Sequence, residues 1–458
     1  MPEFQPVHLA QITGGNWHAD TTPCVKGFCF DTRRIEPGDC FVALQSGHRD
    51  GHDFVVDALA KGASAALTAR VLDCKLPQLV VPDPLTAMGA IAADIRSRFN
   101  QPVIGITGSC GKTSTKEMLR LLLGEDMTLA TAGNWNNRIG VPMTLFELDP
   151  AQHQFAVIEA GINQSGEMAL LGEMIRADLT ILTNIGPAHL ELLGSLAGIA
   201  GEKAKLAERS QPGAPVVLPV EALGYPAYAA LRERCVAVQF ENDAAPPGIR
   251  ELVPCRIEPS PDGSASHLHI AGWTYVVQSA SMGIARNAAL AIVAARILGL
   301  DPEVLAGRIQ HWRPEPTRGR VVATADRFDY IDCYNANPAS MLDALQTFQK
   351  SAPAGRPRCY VLGAMNELGA SAHGFHLAVG EKLGLRAEDT ALLIGPAAMT
   401  AAYRQGAEAG GASPAQIICA QNIDPIKSIV ADFRGALFLK GSRAYQLEKV
   451  LPESVANS

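Results

Sequence analysis

A glycine-rich segment between a predicted strand and a predicted helix constrains this fold more than any other feature. An apolar run at residues 103–107 leads through Gly108 and Gly111 into Lys112 and Thr113, where a helical pattern begins. Glycines let backbone N–H groups close around phosphate oxygens, and the start of the helix adds the positive end of its dipole. Lys112 can then reach the terminal phosphates, while the Thr113 hydroxyl can join a Mg²⁺ shell. The segment predicts a nucleoside triphosphate site in an α/β protein.

The spacing of this phosphate loop departs from the usual pattern, because Ile106 stands where most such loops have glycine. An ordinary glycine-rich turn between strand and helix is the alternative. Cys110 lies among the predicted phosphate-binding amides, where its thiolate should be favoured, so its reversible oxidation could block ATP. The loop residues predicted to bind ATP are Gly108, Ser109, Cys110, Gly111, Lys112, Thr113 and Ser114.

Size and composition limit the class of protein. A chain of 458 residues is too long for one core, and roughly three domains are expected. Its net charge of −7 favours neither nucleic-acid binding nor attachment to a membrane surface. The longest apolar stretch, near residues 288–298, contains Arg296 and is too short to span a bilayer. With no secretory signal at the N-terminus and ten scattered cysteines, we expect a cytoplasmic protein. A monomer is also expected, although the sequence leaves the oligomeric state open.

Segments that contain proline and asparagine are typical of linkers, and they predict three domains at residues 1–98, 99–313 and 314–458. The first is predicted to be a compact α/β unit with strands at 40–44, 65–67 and 79–81 and a helix at 54–61. The second contains buried parallel strands at 155–158 and 179–182, then an antiparallel part over 211–282 with a hairpin at 271–272. The third is a doubly wound sheet with strands at 360–362, 391–394 and 436–439.

Polar residues that follow the predicted central strands are candidates for chemistry. Glu159 ends a strand beside the phosphate loop and could hold Mg²⁺, although it could equally be a solvated strand-end glutamate. His189 follows the next strand, but a lone histidine is usually structural. Lys203 lies in a helical stretch where a solvated surface charge is the ordinary interpretation. The turn at 134–137 could donate amides to phosphate or substrate, or simply satisfy its own backbone.

Taken in order, these motifs resemble the Mur ligases, which build the cell-wall peptide, and the resemblance covers essentially the whole chain. It implies a small N-terminal α/β nucleotide-sugar domain, a central P-loop ATPase-type domain with a mostly parallel sheet, and a C-terminal Rossmann-like domain that closes on ATP and binds the incoming substrate. The matching segments are residues 30–33, 37–43, 50–54, 107–113, 133–137, 159, 184–189, 332–338, 363–369, 376–380 and 440–443.

The resemblance also implies two Mg²⁺ ions. Lys203 falls where family members carry a lysine carbamylated by CO₂, and its new carboxylate would serve the second ion together with His189. Thr113 and Glu159 would hold the first ion. Lys112, His189 and Lys203 are the implied catalytic residues.

Further positions are implied to bind the nucleotide or the other substrates. Asn287 matches an asparagine that meets adenine. Arg320 and Asp332 match residues that close on the phosphates and ribose, although a shortened segment before Asp332 makes Arg318 an alternative to Arg320. The implied substrate-binding residues are Asp31, Thr32, Arg33, Asn134, Asn136, Asn137, Tyr334, Asn335 and Asn337.

Two signatures, YNANP at 334–338 and MNELG at 365–369, point to one branch of the family. The implied reaction is ATP-dependent amide ligation, which adds D-alanyl-D-alanine to UDP-N-acetylmuramoyl-tripeptide through an acyl phosphate in peptidoglycan synthesis. The alternatives are a sibling ligase that adds a single amino acid, a P-loop small-molecule kinase, and a catalytically inactive binding module. The third residue of the tripeptide is left open.

Overall fold

The computed structural model describes residues 4–47, 49–240, 246–261 and 263–452. Over these ranges the chain folds into three successive α/β units, each with its own mostly parallel sheet. The predicted three-domain α/β fold is therefore confirmed, while the boundaries after residues 98 and 313 stay predictions. Among the helices within these ranges, none is long and apolar enough to cross a membrane.

The first unit is a small sheet covered by helices. Its strands are β1 (Asn16–His18), β2 (Gly27–Cys29), β3 (Asp39–Val42), β6 (Ala65–Thr68) and β7 (Gln78–Val80), with a hairpin of β4 (Gln45–Ser46) and β5 (Arg49–Asp50). Its helices are α1 (Pro6–Thr13), α2 (Val55–Ala60) and α3 (Pro84–Arg98). The sheet order is β1-β7-β6-β3-β2, and β1 pairs antiparallel with β7. The predicted strands and helix of this unit correspond to β3, β6, β7 and α2.

The second unit is built on one continuous sheet. Its strands are β8 (Val103–Thr107), β9 (Thr128–Ala130), β10 (Phe155–Glu159), β11 (Leu179–Leu182), β12 (Val216–Pro219), β13 (Cys235–Gln239), β14 (Glu251–Pro259), β15 (Ser266–Ile270) and β16 (Trp273–Val277). Its helices are α4 (Lys112–Leu123), α5 (Gly140–Phe146), α6 (Glu167–Ile175), α7 (Leu190–Leu193), α8 (Leu196–Glu208), α9 (Pro226–Ala229), α10 (Met282–Ile297) and α11 (Pro302–Ile309).

Strand order places the site at the middle of this sheet. The order is β16-β15-β14-β13-β12-β11-β8-β10-β9, so β8 lies between β10 and β11 and pairs in parallel with both. The chain passes to one side of β8 and then to the other, which is the switch point where open α/β sheets bind ligands at the carboxyl ends of their strands.

The predicted antiparallel part over 211–282 is wrong in its first half. β12 and β13 extend the parallel sheet, and antiparallel pairing begins only where β14 meets β15. The buried apolar run of β12 is typical of a parallel strand, but the surrounding prolines and turn residues obscured that signal. The predicted hairpin joins β15 to β16 through Ala271 and Gly272, whose φ angles of 48° and 82° suit a tight two-residue turn.

The third unit is a doubly wound sheet in the order β17-β18-β22-β19-β20-β21. Its strands are β17 (Arg320–Ala323), β18 (Arg327–Asp332), β19 (Arg358–Gly363), β20 (Thr390–Ile394), β21 (Ile417–Ala420) and β22 (Gly435–Lys440). Its helices are α12 (Pro338–Ser351), α13 (Ala372–Glu381), α14 (Ala397–Ala409) and α15 (Lys427–Asp432). The three strands predicted from sequence are β19, β20 and β22.

Apolar clusters connect the units unequally. One cluster contains residues of both the first and second units, including Phe28 and Phe146, whose ring centroids lie 4.8 Å apart. The Arg96 side chain strengthens this junction by donating to the Ile175 carbonyl at 2.8 Å and to Asp178 at 2.7 Å. The clusters of the third unit contain only residues of that unit among those described.

We predict that Gly406→Ala destabilises the third unit. Gly406 lets α14 approach α13 so closely that an added Cβ would lie 2.0 Å from the Leu377 carbonyl oxygen. Such overpacking costs about 1–3 kcal/mol, which should appear as a lower midpoint of urea unfolding. The control is Gly374→Ala on α13, where an added Cβ meets nothing within 4 Å and should slightly stabilise the helix. Equal midpoints for the two variants would contradict the close packing.

Candidate nucleotide and metal site

The phosphate loop, residues 108–111, follows β8 and precedes α4 at the predicted position. Gly108 and Gly111 have φ angles of 153° and 79°, which favour glycine. A Cβ on Gly108 would lie 1.8 Å from the Thr183 hydroxyl oxygen, and one on Gly111 would lie 2.3 Å from the Asn287 side-chain nitrogen. The loop is therefore packed tightly between the end of β11 and helix α10, and the predicted adenine-side residue Asn287 lies directly against it.

Asn184 binds two backbone N–H groups of the phosphate loop, a role that the sequence did not reveal. Its Oδ1 accepts from the backbone N–H groups of Ser109 and Cys110 at 3.2 and 3.1 Å. Its Nδ2 lies 2.7 Å from the Cys110 sulfur. The expectation of a favoured Cys110 thiolate is wrong, because desolvation raises the pKa of this thiol despite the lowering effects of Asn184 and Lys112.

Two lysine side chains meet at one carbonyl of the loop. The Gly108 oxygen accepts from Lys112 Nζ at 2.9 Å and from Lys203 Nζ at 3.0 Å. Lys203 is only 2% exposed, so it is not the surface charge that a helical lysine usually is. Burial lowers the pKa of Lys112, and burial together with the charge of Lys112 lowers the pKa of Lys203 well below its usual value. The neighbouring Lys205 instead pairs with Glu202, so Lys203 is the lysine of this helix that reaches the loop.

A buried carboxylate faces the loop from the end of β10. Glu159 is 1% exposed, which excludes a solvated strand-end glutamate. Its Oε2 accepts from the Thr113 hydroxyl at 2.9 Å, and its Oε1 accepts from Asn136 Nδ2 at 2.6 Å. Glu159 and Thr113 provide hard oxygen donors of the kind that Mg²⁺ prefers.

The donor set fits a metal ion that a nucleotide helps to hold. Within the described ranges, no cluster of three or more His, Cys, Asp or Glu side chains could bind a metal on its own. Mg²⁺ in nucleotide enzymes is usually bound by one or two carboxylates together with phosphate oxygens and water. Glu159 beside the phosphate loop matches that arrangement.

His189 contacts the third unit. It follows β11, and its Nδ1 contacts the carboxylate of Glu367. Both residues have left-handed backbone conformations, with φ angles of 57° for His189 and 63° for Glu367. The contact with His189 lowers the pKa of Glu367. Glu367 belongs to the MNELG signature, but the sequence did not show that it would meet His189.

Other polar contacts join the second and third units near the loop. Asn337 Nδ2 lies 3.5 Å from the Ser109 carbonyl oxygen. At the start of α10, the Asp343 carboxylate accepts from the Ser281 hydroxyl at 2.7 Å and from the Gly283 N–H at 3.0 Å. The third unit thus lies over the carboxyl edge of the central sheet.

Between the second and third units lies a cleft with a volume of about 760 Å³. Of the two candidate arginines, Arg318 lines it, with its guanidinium 3.9 Å from the centre of the Tyr334 ring, whereas Arg320 begins β17. Asp332 accepts from the buried Lys440 Nζ at 2.6 Å, a partner that sequence reasoning missed. The predicted residues that line the cleft are Ser109, Cys110, Gly111, Lys112, Thr113, Ser114, Asn134, Asn136, Asn137, Glu159, His189, Asn287, Asp332, Tyr334, Asn335 and Asn337.

The predicted nucleotide-sugar segment lies in the first unit and is separate from this lining. Asp31 caps the short turn that begins at Thr32, and its ion pair with Arg33, at 2.7 Å, lowers the pKa of Asp31 to about 2. Neighbouring Phe30 and Arg34 approach the Trp135 ring, at 6.0 and 5.5 Å from its centre. This segment therefore borders the asparagine turn, residues 134–137.

Fold and site together define a nucleotide-binding α/β protein whose phosphate loop is covered by a separate third unit. The family model described as the Mur ligase middle domain matches residues 106–295, and that described as the Mur ligase, glutamate ligase domain matches residues 317–434. The chain belongs to the Mur ligase family, as its motifs predicted, and is an ATP-dependent ligase.

Similar proteins cover nearly the whole chain. The UDP-N-acetylmuramoyl-tripeptide–D-alanyl-D-alanine ligase of Escherichia coli is 32% identical over 97% of each chain. The ligase of the same name from Synechocystis is 33% identical over 84% of this chain and 82% of its own. A crystal structure of MurF from Acinetobacter baumannii superposes with a TM-score of 0.86 at 27% identity, covering 100% of both chains.

We predict that Gly111→Ala strongly weakens nucleotide binding. The added methyl would clash with Asn287 at a φ that L side chains rarely adopt, so the loop could not keep its shape. Isothermal titration with ADP should show at least about a hundredfold weaker binding than the wild type, since the clash affects both the loop and the adenine side. Gly201→Ala, where an added Cβ meets nothing within 4 Å, is the control and should bind normally. Unchanged ADP affinity in Gly111→Ala would exclude the loop as the phosphate site.

Proposed function

We infer that this protein adds D-alanyl-D-alanine to UDP-N-acetylmuramoyl-tripeptide with cleavage of ATP to ADP and phosphate, in peptidoglycan synthesis and hence cell-wall biogenesis. The contact of Asn337, from the YNANP signature, with the phosphate-loop residue Ser109 is the observation that carries this proposal. It brings the signature of the dipeptide-adding branch to the phosphate loop. The names of relatives that match over most of the chain support the same substrates.

The proposed chemistry has two steps. A carboxylate oxygen of the tripeptide attacks the γ-phosphorus of ATP, the bond to ADP breaks, and an acyl phosphate forms. The amine nitrogen of D-alanyl-D-alanine then attacks the acyl carbon, phosphate leaves, and the nitrogen loses a proton. An attacking carboxylate and a triphosphate repel each other, so catalysis depends mainly on charge neutralisation and alignment.

Residues on the loop side would neutralise that charge. Lys112 would reach the terminal phosphates, and the loop amides would bind them at the start of α4. Thr113 and Glu159 would hold one Mg²⁺, and His189 with a modified Lys203 would hold a second. Bound Mg²⁺ stabilises the negative charge that develops on the transferred phosphoryl group.

Carbamylation of Lys203 is consistent with its surroundings. Only a neutral amine attacks CO₂, forming an N–C bond and releasing one proton to leave a carbamate anion. Burial and the charge of Lys112 lower the pKa of Lys203, which increases the neutral fraction near pH 7. The carbamate would also place a negative charge on Lys203 beside the positive charge of Lys112, which replaces repulsion between two amines by attraction.

The remaining assignments are proposals of the same kind. Asn287 would meet adenine, while Asp332 and either Arg318 or Arg320 would approach the phosphates and ribose from the third unit. The asparagine turn and the residues Tyr334, Asn335 and Asn337 would bind the two peptide substrates, the UDP-linked tripeptide and D-alanyl-D-alanine. Asp31, Thr32 and Arg33 would bind near the uridine nucleotide. That the protein is a monomer and lies in the cytoplasm stays a prediction.

One reaction tests the function directly. Purified protein is mixed with ATP, Mg²⁺, UDP-N-acetylmuramoyl-tripeptide and D-alanyl-D-alanine, and the products are identified by mass spectrometry. We expect a UDP-linked pentapeptide and an equal amount of ADP, both dependent on the dipeptide. Phosphorylated substrate without an amide would indicate a kinase. Amide formation only with a free amino acid would indicate a sibling ligase, and an absence of turnover would indicate a binding module.

We predict that Lys203→Ala reduces turnover by roughly a thousandfold or more, because it removes the proposed carbamate from the charged centre of the reaction. Short carboxylic acids added to this variant should restore part of the activity by occupying the place of the carbamate. Lys205→Ala is the matched control from the same helix and should keep most activity, since Lys205 pairs with Glu202. Full activity of Lys203→Ala without added acid would overturn the assignment.

A further inference from the structure

A second lysine of the phosphate-loop helix is buried without contacting the cleft. Lys116 lies one turn after Lys112 on α4 and is 0% exposed. Its Nζ donates to the Thr131 carbonyl oxygen at 2.6 Å, lies 3.4 Å from the Gly133 carbonyl oxygen, and is 2.8 Å from Glu117 Oε1. Burying an ammonium group is strongly unfavourable unless its N–H groups are bonded, so this lysine fixes the segment it binds.

The segment 131–133 leads to Glu159 by two routes. The Thr131 hydroxyl oxygen accepts from the Glu159 backbone N–H at 2.9 Å. Three residues beyond the segment, the asparagine turn contributes Asn136, whose side chain donates to Glu159 Oε1 at 2.6 Å. The Gly161 N–H also donates to the Asn136 carbonyl at 2.8 Å, which fixes the turn to the chain just after β10.

We propose that Lys116 is a positioning residue for the Glu159 carboxylate. By anchoring segment 131–133 to α4, it sets the place from which Asn136 holds one carboxylate oxygen, so that the other faces Thr113 and the cleft. The proposal rests on the proposed role of Glu159 in metal binding. It differs from a merely structural role because Lys116 should then affect metal affinity more than nucleotide affinity or fold stability.

The test measures Mn²⁺ binding in the presence of saturating ADP, by the electron paramagnetic resonance signal of free Mn²⁺. Lys116→Met should weaken Mn²⁺ affinity by about tenfold, as loss of an outer-shell support to a metal ligand does. ADP affinity without metal should stay within about threefold of the wild type, since the loop glycines and α10 are untouched. Glu117→Gln is the matched control, because it removes the charged neighbour of Lys116 but keeps both carbonyl contacts, and should bind Mn²⁺ normally.

A double-mutant cycle with Asn136→Ala identifies the route. If Lys116 acts through Asn136, the double variant should bind Mn²⁺ no more weakly than Asn136→Ala alone. Additive losses, or normal Mn²⁺ affinity in a folded Lys116→Met, would overturn the proposal. If Lys116→Met does not fold, Lys116→Gln replaces it, and normal affinity in that shorter side chain also overturns the proposal. Failure of the wild type to bind Mn²⁺ with ADP would instead contradict the proposed function.

Discussion

The convergence of two buried lysine amines on the Gly108 carbonyl is the interaction on which the rest of the site depends. Lys112 and Lys203 come from different helices; burial lowers the pKa of both, and the charge of Lys112 lowers the pKa of Lys203 further. A single carbonyl dipole does not balance two ammonium groups in a buried place, so this centre is poised either to lose a proton or to receive anions. A triphosphate and a carbamate supply negative charge on either side of the loop. The position of α8 against the loop is therefore as important for chemistry as the loop itself.

The carboxylate of Glu159, at the end of β10, is held in a fixed position by the residues around it. Its backbone is held by Thr131 and its two oxygens by Asn136 and Thr113, so three chain segments fix one side chain before any ligand arrives. A carboxylate held this way needs little reorganisation when charge develops nearby, which is the main source of electrostatic stabilisation in enzymes. The first unit borders the asparagine turn, because Phe30 and Arg34 lie near the Trp135 ring of the turn. Substrate held by that unit would thus lie next to the turn that holds the carboxylate.

Sequence alone predicted the elements well and their assembly less well. Local patterns indicated β8, the loop and α4, as well as the strands of the third unit. These elements are recognised from apolar residues and glycines that lie close together in the sequence. The parallel pairing of β12 and β13 was missed, since strand pairing depends on contacts between distant segments. For the same reason Asn184, Glu367, Lys440 and Lys116 were not recognised, although the i, i+4 spacing of Lys112 and Lys116 was a visible signal. Lys203 was assigned from the family resemblance, and its burial, together with the pairing of Lys205 with Glu202, supports that choice of lysine.

The unequal sharing of apolar clusters has a consequence for how the molecule comes apart. The first and second units share one core, whereas the clusters of the described third unit are its own. Contacts across the cleft, such as Asp343 with Ser281, are polar, and water replaces such bonds at a small net cost. Cooperative units of unfolding follow shared cores, so the first two units should melt together and the third separately. A molecule that has lost only its third unit would keep its phosphate loop and buried lysines, but both would then be exposed to water.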